Sequence, residues 1–215
     1  ITTRLVGSEM CIRDSFIFIL LGYFSGSVLY GYLIPKLFFN VDTIQNSDDH
    51  NPGVANSFKM GGITCGIFTI ILELLKGFVP VYLAQKNLDY KDLLFSLILV
   101  APVIGHAYPL FTHFKKGGKC IAVSFGCLLG LFPNITSACI LVLLYIFFST
   151  ILIINPHSLR SAITYFCWMC SFLFFHQYLS IVIGSLVVGF IVIFRHIKSI
   201  KQSEEREMRF AFRKN

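Results

Sequence analysis

Charge is what this chain has least of. Asp, Glu, Lys and Arg make up 13% of its 215 residues, about half the roughly 25% of an ordinary soluble domain, too little polar surface to cover a water-soluble globule. Acids are the scarcer sign, 11 against 18 Lys and Arg. The apolar runs are spaced too evenly for a soluble core with a separate anchor. The nucleotide-cradling pattern G-x-x-x-x-G-K-[ST] is missing, because Gly118-Lys119 is followed by Cys120 and no strand signal precedes it. "CWMC" at Cys167 and Cys170 has C-x-x-C spacing, yet no second ligand pair accompanies it and it lies inside an apolar run. That context argues against a zinc or redox motif. These two and Cys65, Cys120, Cys127 and Cys139 read as small packing residues. The chain also lacks the internal repetition of many transporters.

What is present is oil. Hydrophobic residues make up 55% of the chain and the mean hydropathy is +0.74, values that indicate an all-α, polytopic membrane protein. About 20 apolar residues cross a bilayer core of roughly 30 Å. Seven candidate spans follow, at residues 16–34, 63–83, 93–108, 121–132, 134–154, 163–175 and 179–194. The third, fourth, sixth and seventh are short for a full crossing, which implies tilt, extension into flanking residues or re-entry against protein.

Residues 1–15, "ITTRLVGSEMCIRDS", are polar and unlike the rest. Leu5 to Ser15 back-translates onto a transposase adapter used to prepare sequencing libraries. We therefore expect a non-native leader over 1–15, a membrane domain over 16–194 and a basic cytoplasmic tail over 195–215. With seven spans, thirteen of the 18 Lys and Arg, Lys116, Arg213 and Lys214 among them, fall on one side, and outside the leader only Lys86 and Lys91 fall on the other. The positive-inside rule then puts the C-terminus in the cytoplasm and the native N-terminus outside. The net charge of +7 is thereby a topology and lipid-headgroup signal, with no nucleic-acid partner implied.

Polarity gathers on the cytoplasmic side. Asn40 to Gly62, "NVDTIQNSDDHNPGVANSFKMGG", has turn chemistry rather than helical periodicity, and such a loop turns backbone amides toward an anion. "GHAYPLFTHFKKGGKC" sets Lys115, Lys116 and Lys119 around Gly117 and Gly118, where backbone amides can approach a phosphate. His106 is the better placed of its two histidines. "PHSLRSA" and "FRHIKSIKQSEERE" form a third polar cluster. Glu73 and Lys76, three apart inside the second span, share a helix face and can pair.

In this order the segments resemble the bacterial membrane glycerol-3-phosphate acyltransferases that use acyl phosphate as donor. The resemblance runs from about Tyr23 to Glu207. "GSVLYGYLIPKL" is similar to the family's Gly-Ser segment, "NPGVANSFK" to its Gly-Ser-Gly-Asn-x-Gly-Ala-Thr-Asn loop, and "ELLKGFVP" to its Asp-x-x-Lys-Gly-Phe element. "GHAYPLFTHFKKGGKCIAVSFG" resembles Gly-His-x-Phe/Tyr-Pro-x-Phe followed by Phe-Lys-Gly-Gly-Lys-Gly-Val-Ala-Thr, and "FRHIKSI" the closing Arg-His-Arg-Glu-Asn-Ile. The chain departs from the pattern at "SDDHN", where Asp49 and His50 fill vacated positions, and at Lys59, Lys116, Cys120 and Ser199.

The resemblance implies acyl transfer from acyl phosphate to the 1-hydroxyl of glycerol 3-phosphate, giving lysophosphatidic acid and phosphate in a bacterial inner membrane. Neither coenzyme A, acyl carrier protein nor a metal is implied. It assigns phosphate or substrate binding to Lys119, Gly117, Gly118, Asn51, Gly53, Asn56 and Lys59, and catalysis to His196, Ser161 and His106. A membrane transporter or binding protein for a phosphorylated solute, or a catalytically altered paralogue, is the alternative on the same scaffold. The span map carries its own test: a cysteine placed at Gln202 is labelled by an impermeant reagent only from the cytoplasmic face and one at Asn87 only from outside. The reverse pattern removes the map.

Overall fold

The computed structural model describes residues 2–113, 115, 117–175, 177–203 and 206–211, with side chains from Ile12 onward. Lys116, Arg213 and Lys214, counted above among the cytoplasmic cations, lie outside the described residues. In chain order the elements are α1 (Thr2–Ser27), α2 (Tyr30–Phe39), α3 (Thr43–Asn46), α4 (Val54–Asn87) and α5 (Phe95–Ala107). A 3-10 turn (Leu110–Thr112), α6 (Ile121–Leu129) and α7 (Thr136–Ile146) follow, α7 ending in a π turn (Phe147–Ile151). Last come β1 (Leu152–Asn155), α8 (His157–Ser171), α9 (Leu179–Gln202) and β2 (Glu207–Phe210).

Among the described residues, three helical stretches are long and apolar enough to cross a bilayer: α4, α5 with its following turn, and α9. Residues from Ile12 through α1 and α2 make a fourth when that bent pair, 42° apart, is taken as one span. This is a mostly helical membrane protein. Large apolar side chains on the lipid-facing sides of these helices stay exposed, among them Phe16 and Leu20 on α1, Ile63 and Phe68 on α4, and Phe190 and Phe194 on α9. Inside, Ile98, Leu99 and Val103 of α5 pack with Val123 and Leu128 of α6, Leu141 of α7, Trp168 of α8 and Val188 of α9.

Several boundaries differ from the sequence reading. The first apolar run is two helices, because α1 stops at Ser27 after Gly26 and α2 restarts at Tyr30, a Gly/Ser position where helices break readily. The 40–62 segment is partly helical: Asp42 caps α3 by accepting from the Ile44 and Gln45 amides, and α4 begins at Val54. Gly62, at φ 81° and ψ −177°, breaks α4 internally. That backbone region is essentially reserved for glycine, and the expected second span starts just after it. α9 runs on to Gln202, which lengthens the short seventh run. α6 has only 9 residues, about 13 Å at the helical rise, so it covers half a bilayer core.

The helices are also joined by a two-stranded antiparallel sheet, so the chain is not purely α. β1 pairs with β2 in the register Leu152↔Phe210 to Asn155↔Glu207, the β-branched run at 153–154 suiting a strand. Among the cysteines, Cys65, Cys120 and Cys127 are buried as packing residues, whereas Cys139 is exposed.

α4 and α6 come together backbone to backbone. A Cβ added to Gly126 would lie 2.1 Å from the Leu74 carbonyl oxygen, so the helices have no room for a side chain there. Gly126→Val is expected to force them apart and reduce the folded, monodisperse fraction in detergent severalfold. An unchanged elution profile would show that the helices can separate without loss.

Candidate active site

The break between α1 and α2 leaves backbone groups without helical partners, and they meet the acidic and basic pair of α4. Lys76 Nζ donates to the Val28 carbonyl at 2.7 Å and lies 2.8 Å from Glu73 Oε2. The other carboxylate oxygen, Oε1, accepts from the Gly31 amide at 3.1 Å. Both side chains are almost wholly buried, 1% and 2% exposed. The i,i+3 pairing expected from the sequence is thus present, and it serves a helix break. His106 of α5 completes the node, with Nδ1 2.7 Å from Lys76 Nζ. Since an ammonium has only donors, Nδ1 accepts and the ring proton sits on Nε2.

His106 also fixes the glycine-lysine loop. Its carbonyl accepts from the Gly118 amide at 3.0 Å, so that amide is spent on the protein and is not free for phosphate as expected. Arg195 of α9 donates from Nε to the Gly118 carbonyl at 3.1 Å and from its guanidinium to the Gly117 carbonyl. A Cβ at Gly118 would fall 2.1 Å from His106 Nε2, and one at Gly117 1.8 Å from the Ala107 carbonyl oxygen. The two glycines let this loop lie flat against the end of α5. Neither lines the pocket described next.

That placement aims Lys119 at the 40–53 loop. Lys119 Nζ is 2.7 Å from Asp49 Oδ2. Asp49 Oδ1 accepts from Asn56 Nδ2 at 2.9 Å and from the Asn51 amide at 3.3 Å. Burial raises the Asp49 carboxyl, but the bonds from Lys119 and Asn56 outweigh it and hold the group below the usual carboxylate range. It is ionised at neutral pH. Asn56 Nδ2 also donates to the Asn51 carbonyl, and Gly53 opens α4. Lys59 instead points to solvent, 3.0 Å from Asp48, and is not on the pocket wall.

A pocket of about 500 Å³ joins these groups. Its mouth carries Asp49, Asn51, Gly53, Asn56, Lys119 and His157, with Glu73 and His106 deeper, and its wall between α4 and α6 is apolar: Ile70, Leu74, Ile121, Phe125 and Leu129. Burial, then the charges of Arg160 and Lys119, hold His157 below its ordinary value, so its imidazole is neutral at pH 7. Of the three residues expected to be catalytic, His106 lines the pocket and the other two do not. Ser161 is buried, and its hydroxyl donates to the His157 carbonyl at 2.9 Å. This is the ordinary helix bond of a serine to the carbonyl four residues before it. His196 is also buried, with Nδ1 2.7 Å from the Val192 carbonyl. That bond places the proton on Nδ1 and leaves Nε2 an acceptor with no hydrogen-bond partner among the described residues.

Comparison with known proteins places this architecture. Residues 16–205 match the family model for glycerol-3-phosphate acyltransferase. A glycerol-3-phosphate acyltransferase of Fusobacterium nucleatum is 37% identical over 188 residues, covering 87% of this chain and 93% of that protein. One from Staphylococcus carnosus is 32% identical, covering 85% and 90%. The chain belongs to the glycerol-3-phosphate acyltransferase family.

This acyltransferase also shares its fold with crystal structures of PlsY (YgiH), an integral membrane glycerol 3-phosphate acyltransferase. The glycerol 3-phosphate form superposes with a TM-score of 0.76 at 26% identity, covering 88% of this chain and 91% of that one. The lysophosphatidic acid form gives 0.73. Two groups on the acyltransferase pocket escaped the sequence reading of the site. His157 stands in "PHSLRSA", four residues before the Ser161 that was chosen, and the pairing of Asp49 with Lys119 spans 70 residues. Arg195 was legible only as a member of the third polar cluster, and its carbonyl partners have no sequence signature.

The buried node generates a stability prediction. Removing one partner of a buried pair costs about 3–5 kcal/mol, because the other charge is stranded. Lys76→Met and Glu73→Gln should each lower unfolding stability in detergent by that amount, and the double substitution should cost less than the two singles together. Thermal unfolding at matched concentration measures this. Single losses below about 1 kcal/mol would mean that water reaches the node.

Proposed function

We propose that the pocket seats both substrates of a reaction in which glycerol 3-phosphate is acylated from acyl phosphate. The protein is an acyltransferase of phospholipid synthesis whose acceptor is glycerol 3-phosphate. The choice of acyl phosphate as donor rests on one observation: an amide-rich mouth carrying Lys119 is continuous with an apolar wall between α4 and α6. A phosphate head and a fatty chain on one molecule fit those two surfaces. In this reading Lys119, Asn51, Asn56 and the N-terminus of α4 at Gly53 receive phosphate at the mouth, and Ile70, Leu74, Phe125 and Leu129 carry the chain.

The chemistry then needs little from the protein beyond placement. The acceptor's 1-hydroxyl attacks the acyl carbonyl carbon, the acyl–phosphate C–O bond breaks, and phosphate departs with the bonding pair. Orienting two reactants supplies much of such a rate enhancement, and the Lys119 cation stabilises charge developing on the departing phosphate. The neutral imidazole of His157, which lines the pocket, takes the hydroxyl proton, and His196, buried off the pocket wall within electrostatic reach of Lys119 and His157, supports it from behind. His106 Nε2–H donates to substrate oxygen. Ser161 is a positioning residue, tying down the first turn of α8, which presents His157. Gly117 and Gly118 act through packing that directs Lys119, and Lys59 adds long-range attraction from the surface.

The same proposal carries the topology. Seven crossings, an outside N-terminus and a cytoplasmic C-terminus in a bacterial inner membrane put this mouth on the side where glycerol 3-phosphate is made. The leader over 1–15, the domain over 16–194 and the basic tail over 195–215 complete the proposed organisation.

In vesicles supplied with long-chain acyl phosphate and labelled glycerol 3-phosphate, the protein should form labelled lysophosphatidic acid. Lys119→Ala should weaken apparent substrate affinity by about 10- to 150-fold, the worth of a charge-assisted phosphate contact. Lys115→Ala, at an exposed position, should change it less than about threefold. Equal mild effects of both, at matched folded protein, would reduce the loop to a topology signal.

A further inference from the structure

The anion already seated at the pocket mouth belongs to the protein. Three donors converge on the Asp49 carboxylate: Lys119 Nζ at 2.7 Å, Asn56 Nδ2 at 2.9 Å and the Asn51 amide at 3.3 Å. These are three of the groups assigned above to substrate phosphate. Asp49 itself lines the pocket, so its carboxylate stands in the cavity rather than behind it.

We propose that Asp49 is an internal counter-anion, occupying the phosphate donors when substrate is absent, so that the incoming phosphate must displace it and Asp49 thereby sets the acceptor's apparent affinity. The inference rests on the phosphate-site assignment proposed above. It follows from competition for one donor set. A carboxylate offers two oxygens and one charge. A phosphate monoester offers three terminal oxygens and a charge of about −1.5 to −2 at pH 7, so it can win the exchange. A tethered carboxylate resists as though present at about millimolar concentration.

The local geometry allows the exchange. The Asp49 side chain is 30% exposed and that of Lys119 17%, so the carboxylate has open solvent to swing into while the lysine stays on the wall. The backbone beside it is held in place. His50 sits at φ 49°, its Nδ1 is 2.8 Å from the Ile44 carbonyl, and its amide donates to the Ser47 carbonyl at 3.1 Å. Displacement therefore needs a side-chain rotation and leaves the loop intact. The neighbouring Asp48 pairs in the same way with Lys59. That pair is far more exposed and is weak, so the effect is assigned to Asp49.

The test is calorimetric titration of glycerol 3-phosphate, and separately of inorganic phosphate, into detergent-solubilised full-length protein. It compares wild type, Asp49→Asn, Asp49→Ser and Lys119→Ala, each matched for monodisperse elution. Asp49→Asn and Asp49→Ser should tighten both ligands on the order of 10-fold, the scale of a charge-assisted bond removed from competition, while Lys119→Ala weakens both. If Lys119→Ala weakens binding but neither Asp49 variant tightens it, the counter-anion is overturned and the phosphate site stands. If Lys119→Ala leaves binding unchanged, the site assignment falls and this inference falls with it. Failure of both Asp49 variants to fold would make Asp49 a structural residue and likewise overturn the proposal.

Discussion

A carboxylate and an ammonium on adjacent turns of one helix hold together the backbone of another. Where α1 gives way to α2, the chain must leave a carbonyl and an amide unpaired inside a membrane protein, and hydrocarbon supplies neither donor nor acceptor. Lys76 satisfies the carbonyl of Val28 and Glu73 the amide of Gly31. Burial of two charges is costly, and their mutual attraction alone does not repay it. What makes the pair worth keeping is that each charge also terminates a broken helix, and that His106 occupies the remaining donor direction of Lys76. The node thus ties the first, second and third apolar segments to one point just beneath the pocket.

From that point the site is assembled by backbone contacts. His106 grips Gly118, Arg195 grips the carbonyls on either side of the Gly117-Gly118 peptide, and only then does Lys119 project toward the 40–53 loop. The loop reciprocates through Thr43, whose hydroxyl donates to the Gly31 carbonyl at 2.7 Å. Gly31 thereby contacts Glu73 and the loop at once. Polar chemistry at the mouth and an apolar wall below it need no separate domains, because the short α6 and the long α4 line one cavity that also takes in the 40–53 loop.

The sequence reading recovered what local composition controls. The apolar character of the helices and the i,i+3 pair at Glu73 and Lys76 are readable because each depends on residues close in sequence. Lys119, Asn51, Gly53, Asn56 and His106 were found through the order of short motifs, and the fold brings all five to one pocket. The rest depended on partners far along the chain. Nothing in the apolar Val28-Leu29 reports that a lysine 48 residues away will accept a helix break there. The two glycines looked like an anion cradle because glycine permits close approach, and sequence cannot say whether a ligand or the protein's own backbone makes that approach. The strand at 152–155 was hidden in an apolar run that reads equally well as helix.

That strand governs when the protein can be finished. β1 immediately precedes α8, which carries His157, and its partner β2 follows α9. During membrane insertion the nascent chain has helices α1 to α8 available while β1 still waits for its mate. The pairing is a long-range closure, slow relative to helix formation and subject to the entropy of the intervening chain. Translation therefore delivers the α8 end of the pocket unclamped, and that corner can lock only once β2 has followed α9 out of the ribosome.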